Sequence, residues 1–281
     1  MTNSRKSGPK RVEPPFETAE LRKGLTAFLR QPPPFACDIK TIGAFKWGVY
    51  AFFDYDGEPI YVGQTLEGLS SRIGRHLTNQ RTDAVAMSVL DPFEVYEIEL
   101  FPLPELQAAS SKDKAAKAKL NSLELAVFQK CIQDSAFGKI LNEKDPAPAE
   151  PMERLPASIR GRIVSDDVKK FRSHPDTRIA RRSQTIARLA QTISERQVQS
   201  GLRRTLPTQA PTLESLADKP STDAGGAHAG AQARQVVLVH NRVLGEAQHD
   251  RGHERRQGDL VLLHRREELL HVELRHRDER A

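Results

Sequence analysis

Leu21, Leu25, Phe28 and Leu29 recur at helical spacing within residues 18–30, and the run Pro32, Pro33, Pro34 closes that stretch, so an amphipathic helix is expected near the start of the chain. Residues 47–53 are apolar and aromatic and read as a strand. Asp56-Gly57 then supplies a turn, and residues 59–63 read as the returning strand of a hairpin. Ser70 or Ser71 is positioned to cap a helix that turns Ile73 and Leu77 inward and carries Arg72, Arg75 and His76. Between residues 93 and 100, Tyr96, Ile98 and Leu100 alternate with Glu97 and Glu99, the pattern of a third strand with one wet face. After Pro102 and Pro104 a long helix is expected over residues 105–137, with Leu120, Leu123, Val127, Phe128, Cys131 and Ile132 as its apolar stripe. Gly138 ends it, and residues 140–142 form a short extended piece. The expected class is α/β of the α+β kind, a small three-stranded antiparallel sheet flanked by helices.

The pattern changes after residue 144. Residues 145–157 contain four prolines and read as a linker. Beyond it Ser165 can cap a helix, and residues 176–198 set Ile186, Leu189, Ala190 and Ile193 against Arg178, Arg181, Arg182, Arg188 and Arg196. The chain carries a net charge of +6, and residues 151–200 hold 11 basic against 5 acidic side chains, so the positive excess sits in this one segment. Two explanations fit the segment: a helix lying along nucleic-acid phosphates, or a solvated face of a helix packed on the domain or on a second copy. The phosphate reading is the working expectation. All aromatic residues lie between Phe16 and Phe171, which leaves residues 201–281 with little from which to build a core. The expected organisation is an N-terminal arm and docking helix (1–44), a folded α/β domain (45–144), the linker (145–157), a basic helical arm (158–200) and a low-complexity, disordered or weakly structured tail (201–281).

Composition narrows the classes further. No apolar run approaches the roughly 20 residues of a membrane span, and the basic N-terminus lacks the apolar stretch of a secretory signal. With only Cys37 and Cys131, neither a disulfide framework nor a cysteine-built zinc site is available, and a cytoplasmic location is expected.

Glu124 stands out because Leu120, Val127 and Phe128 flank it at helical spacing, which puts its carboxylate inside an apolar stripe. An unpaired carboxylate there would be protonated or costly, so a cation, a metal or a hydrogen-bond cluster should meet it; a structural arginine pair is the plainer alternative. Tyr50 and Tyr61 lie on the two adjacent strands of the hairpin, each next to a glycine, so their phenols can converge. Arg72 and His76 follow one helical turn apart.

These residues resemble a known family. Gly48-Val49-Tyr50, Tyr61-Val62-Gly63, the step from Leu69 to Arg72, a later helical glutamate and a following asparagine are similar, in order and spacing, to the GIY-YIG nucleases over residues 45–143. The resemblance implies a metal-dependent endonuclease that hydrolyses phosphodiester bonds in DNA. Its site residues would be Tyr50, Tyr61, Arg72, His76, Glu124 and Asn142, with Mg²⁺ or Mn²⁺ on Glu124 and no small-molecule cofactor. In that scheme Tyr50 is the general base for water, and its ordinary pKa of about 10 requires a nearby cation to favour the phenolate. Tyr61 orients water or phosphate, and Arg72 meets the phosphate. His76 is a proton carrier, a positioning donor or a surface histidine. Asn142 holds phosphate, braces the glutamate or only forms a turn. Gln64 stands where many members carry lysine. DNA is the expected partner, through Arg75, Arg178, Arg181, Arg182 and Arg188. Double-strand cleavage would call for a homodimer or two events. The alternatives are a non-catalytic DNA-binding protein that keeps the fold, and an RNA-processing nuclease.

Overall fold

The computed structural model describes residues 14–78, 90–142, 144–195 and 200–219, all within one unit spanning 1–233; a second unit, 234–281, lies outside the described residues. The hairpin forms as its alternation requires. β1 (Gly48–Phe53) pairs antiparallel with β2 (Pro59–Thr65), Tyr50 opposite Gly63 and Phe52 opposite Tyr61. β3 (Glu97–Pro102) takes the other side of β1, with Tyr50 opposite Leu100.

The sheet has four strands rather than three. β4 (Ile159–Arg162) comes from beyond the Pro-rich run and pairs antiparallel with β3, giving the order β2-β1-β3-β4. Its four residues are too short for a legible alternation. Gly161 is what lets it lie there, since a Cβ would come within 2.6 Å of the Phe28 ring. The segment after the prolines is therefore built into the sheet instead of extending from a separate module, and the run itself packs Met152 and Leu155 against the core.

Pleating sends Val49, Ala51, Phe53 and Val62 to one face, where Leu120, Leu123, Val127 and Cys131 of helix α3 (Lys114–Asp134) cover them. This helix is shorter than expected at both ends. Asp113 caps it by accepting from the Ala115 and Ala116 amides, after a short 3₁₀ turn at Pro104–Leu106. The opposite face carries Tyr50 and Phe52 and is covered by α1 (Phe16–Leu29) and α2 (Leu69–Leu77). The four apolar residues expected to face inward from α1 are all buried. α2 is capped by Gly68, at φ 128°, not by either serine.

The chain then adds α4 (Asp166–Arg172), capped by Ser165, α5 (Pro175–Glu195) and α6 (Ser200–Ala217). The last corrects the expectation of a weakly structured tail from residue 201. Leu206, Leu213 and Leu216 are buried without any aromatic neighbour in their own segment, because α6 packs on α5 and shares its core with Ile186 and Leu189. The tail beyond residue 219 lies outside the described residues.

Candidate active site

β2 is an edge strand, so the site can draw on both faces of the sheet where they meet at that edge. Tyr61, Gln64, Arg72, His76, Glu124 and Asn142 all line one cavity of about 430 Å³ there. Tyr61 comes from the α2 face, Glu124 from the α3 face, and both reach around the open side of β2. The rings pack as a group: Tyr61 lies 5.2 Å from His76 and 6.3 Å from Tyr50, centroid to centroid, and Tyr50 lies 5.9 Å from His76. Gly63 makes this possible. A Cβ there would sit 2.5 Å from the Tyr50 hydroxyl, so only glycine lets that phenol lie across the strand toward the edge. The two tyrosines are not equivalent: Tyr61 is partly exposed on the cavity wall, whereas Tyr50 is fully buried.

Arg72 holds the electrostatics together. Burial of its guanidinium works against the charge, but Tyr50, then Tyr61 and Glu67, outweigh it and raise its pKa. Its Nε is buried with no hydrogen-bond partner. Glu124 is pushed up to about 7 by burial, with Arg72 pulling the other way. The carboxylate inside the apolar stripe thus keeps its cation at a distance rather than being neutralised by a close structural pair. Gln64 donates from Nε2 to Asn121 Oδ1 at 3.1 Å, tying the edge strand to α3 one turn before Glu124, and leaves its Oε1 buried with no hydrogen-bond partner.

Asn142 does something other than the sequence suggested. Its Oδ1 accepts from the Val62 amide at 3.0 Å and its Nδ2 donates to the Val62 carbonyl at 2.7 Å. It thereby serves as a one-residue strand partner for the exposed side of β2 and fixes the backbone that presents Tyr61 and Gly63. The expected extended piece at 140–142 makes this and the Leu141 amide bond to Ile60 without becoming a strand. Lys144, also on the cavity wall, was missed; just ahead of a Pro-rich run nothing marks a lysine as facing a site.

The basic segment is corrected most. Arg178 and Arg182 are 1% and 3% exposed and spent on internal carboxylates. Arg178 reaches Asp54 at 2.7 Å and Asp56 at 2.6 Å; Arg182 reaches Asp54 at 3.0 Å and Glu94 at 3.2 Å. Arg181 clasps Asp91 through two nitrogens, at 2.9 and 3.2 Å. Arg75 is half-exposed and pairs with Glu67. Only Arg188 of this group is exposed with no acidic partner among the described residues.

A divalent ion is tested by the donors present. Among the described residues no three His, Cys, Asp or Glu side chains converge to hold a metal. One carboxylate, one orphaned amide oxygen and a cavity with room for water suit Mg²⁺ or Mn²⁺, which keep most of their waters and take phosphate oxygen as the remaining ligand. They would not suit zinc.

Comparison with known proteins matches residues 46–130 to the GIY-YIG catalytic domain. No curated protein and no solved structure matches the chain. No helix among the described residues is long and apolar enough to cross a membrane.

Proposed function

Since residues 46–130 are a catalytic domain of the GIY-YIG nuclease family, we propose that the protein is an endonuclease that hydrolyses phosphodiester bonds in DNA with one divalent cation on Glu124. The observation that carries this reading is the meeting of Tyr61, Arg72, His76 and Glu124 on one cavity at the β2 edge, with the Tyr50 phenol directly behind. Phosphoryl transfer needs an oxygen nucleophile, relief of charge on the phosphoryl oxygens and help for the leaving oxygen. Bound Mg²⁺ or Mn²⁺ supplies Lewis-acid relief at the phosphoryl and leaving oxygens. The guanidinium of Arg72 binds the phosphate and favours phenolate over phenol at the neighbouring tyrosines. Asn142 and Gln64 hold the edge strand and α3 at fixed spacing, so that base and carboxylate face the same phosphate.

By resemblance the base is Tyr50. A second assignment, Tyr61, is favoured by burial, because Tyr61 meets the cavity while Tyr50 does not. Tyr50→Phe and Tyr61→Phe separate them: the variant whose cleavage rate loses its dependence on pH lacks the base. The reading itself is tested by cleavage of duplex DNA, branched DNA and structured RNA with Mg²⁺ or Mn²⁺ beside Glu124→Ala. Metal-dependent DNA cutting that falls by at least about 10³-fold in the variant is expected. Binding without cutting would instead make this a non-catalytic relative, and RNA cutting alone an RNA-processing enzyme.

A further inference from the structure

With Arg178 and Arg182 internal and Arg181 held by Asp91, most of the expected source of nucleic-acid affinity is occupied, and a second depression offers another. Between α1, the turn at Ile42–Ala44 and the outer side of α2 runs a groove of about 1130 Å³. Arg22, Thr26 and Arg30 line one wall, and Ser71, Gly74 and Arg75 the other; no carboxylate among the described residues lines it. Arg22 and Arg30 are exposed, with no acidic partner among the described residues. Because Gly68 caps α2, the hydroxyls of Ser70 and Ser71 are left facing the groove, at the positive end of the helix. The floor is open at Gly74, where an added Cβ would touch nothing within 4 Å.

α2 separates this groove from the catalytic cavity. Arg72 and His76 line the cavity, whereas Ser71 and Arg75 line the groove. The two are about one helix diameter apart, ~10 Å, which is about three base pairs of duplex. The groove's α1 wall lies outside the matched residues 46–130.

We propose that this groove seats the sugar-phosphate backbone of a DNA duplex beside the scissile phosphate, with Arg22, Arg30 and Arg75 meeting phosphates and the hydroxyls donating between them. This rests on the nuclease reading and supplies the binding track that reading needs. Two exposed guanidiniums without an acidic partner among the described residues, a third in a surface ion pair with Glu67 that phosphate can displace, and hydroxyls between them are the chemistry of phosphate contact without base readout. On α5, Arg178, Arg181 and Arg182 already have carboxylates, which leaves Arg188 alone on that helix for such a contact.

The test is duplex binding by the full chain, with metal chelated, over a salt series. The double variant Arg22→Glu/Arg30→Glu should bind at least tenfold more weakly at 150 mM salt, with a log Kd–log salt slope shallower by about 2. Lys23→Glu, the same charge reversal at one neighbouring residue that does not line the groove, should leave the slope unchanged. Arg22→Gln and Arg30→Gln should each lower the slope by about 1, and they serve if the double reversal does not fold. Wild-type affinity and slope in the Gln variants, or an equal loss in Lys23→Glu, overturns the groove. A chain that cuts DNA while ignoring Arg22 and Arg30 refutes the groove alone. A chain that binds through them yet cuts equally as Glu124→Ala refutes the nuclease reading alone.

Discussion

Glu124 holds the least comfortable charge in the site, and its discomfort can be measured. Burial lifts its pKa to about 7 against an ordinary 4.5, with Arg72 only partly offsetting the effect. A carboxyl whose folded value lies above its unfolded value favours folding while protonated. That contribution is complete below about pH 4.5 and is lost as pH rises through 7. Glu124→Gln removes the ionisation, so in chelator it should match wild type near pH 4.5 and be more stable by about 1–2 kcal/mol at pH 8, less than the full shift implies because the side chain is partly wet. Thermal melts at the two pH values check this, and a variant less stable than wild type at pH 8 would contradict the burial. The same variant should not cut. A residue that weakens the fold while the reaction needs it would mark a site rather than a core; spacing alone singled out the charge but left a structural arginine pair as the plainer reading.

At the scale of elements, what the chain reveals by itself depends on how local the cause is. The hairpin, α1 and the buried stripe of α3 follow from alternation and helical spacing within a dozen residues, and they came out as expected. β4 and α6 did not, because each is stabilised by a partner far along the chain. β4 is held by β3, sixty residues earlier, and by the room Gly161 leaves for Phe28. α6 buries Leu213 and Leu216 against α5 and offers Gln209 to Arg182, so its lack of aromatics was no guide. Lys219, just after α6, returns to Asp56 in the β1–β2 turn at 2.6 Å. Two truncations make this testable. A chain ending at residue 195 should melt about 5 °C or more below one ending at 219, since it exposes the α5 face that α6 covers, each buried leucine contributing roughly 1.5–3 kcal/mol. Equal melting temperatures would mean that α6 adds nothing to the fold.

Across the whole molecule, charge that looks segregated in sequence is paired in space. The excess of residues 151–200 meets acids from residues 17–97. Arg160 pairs with Glu97, Arg172 with Glu17, and Arg178, Arg181 and Arg182 with Asp54, Asp56, Asp91 and Glu94. With Lys219 added, the four acids of that last cluster face four cations. Burial raises the Glu94 pKa, which Arg182 and Arg178 resist, while Asp56 is held low because hydrogen bonds from Lys219 and Arg178 exceed its burial cost. The cluster joins α5 to the turn that ends β1, the strand carrying Tyr50. Its partners are separated by 84 to 163 residues, beyond anything a local charge count can register. Removing one member leaves the others buried and uncompensated, so Arg178→Ala should cost about 3–5 kcal/mol in denaturant unfolding. Arg188→Ala, on the exposed face of the same helix, should cost under about 0.5 kcal/mol. If α5 were an arm laid on DNA, the order would reverse in a binding assay: Arg178→Ala would weaken duplex affinity in proportion to a lost phosphate contact while leaving the unfolding midpoint where it was. The burial of its guanidinium on three carboxylates predicts the opposite pair of results.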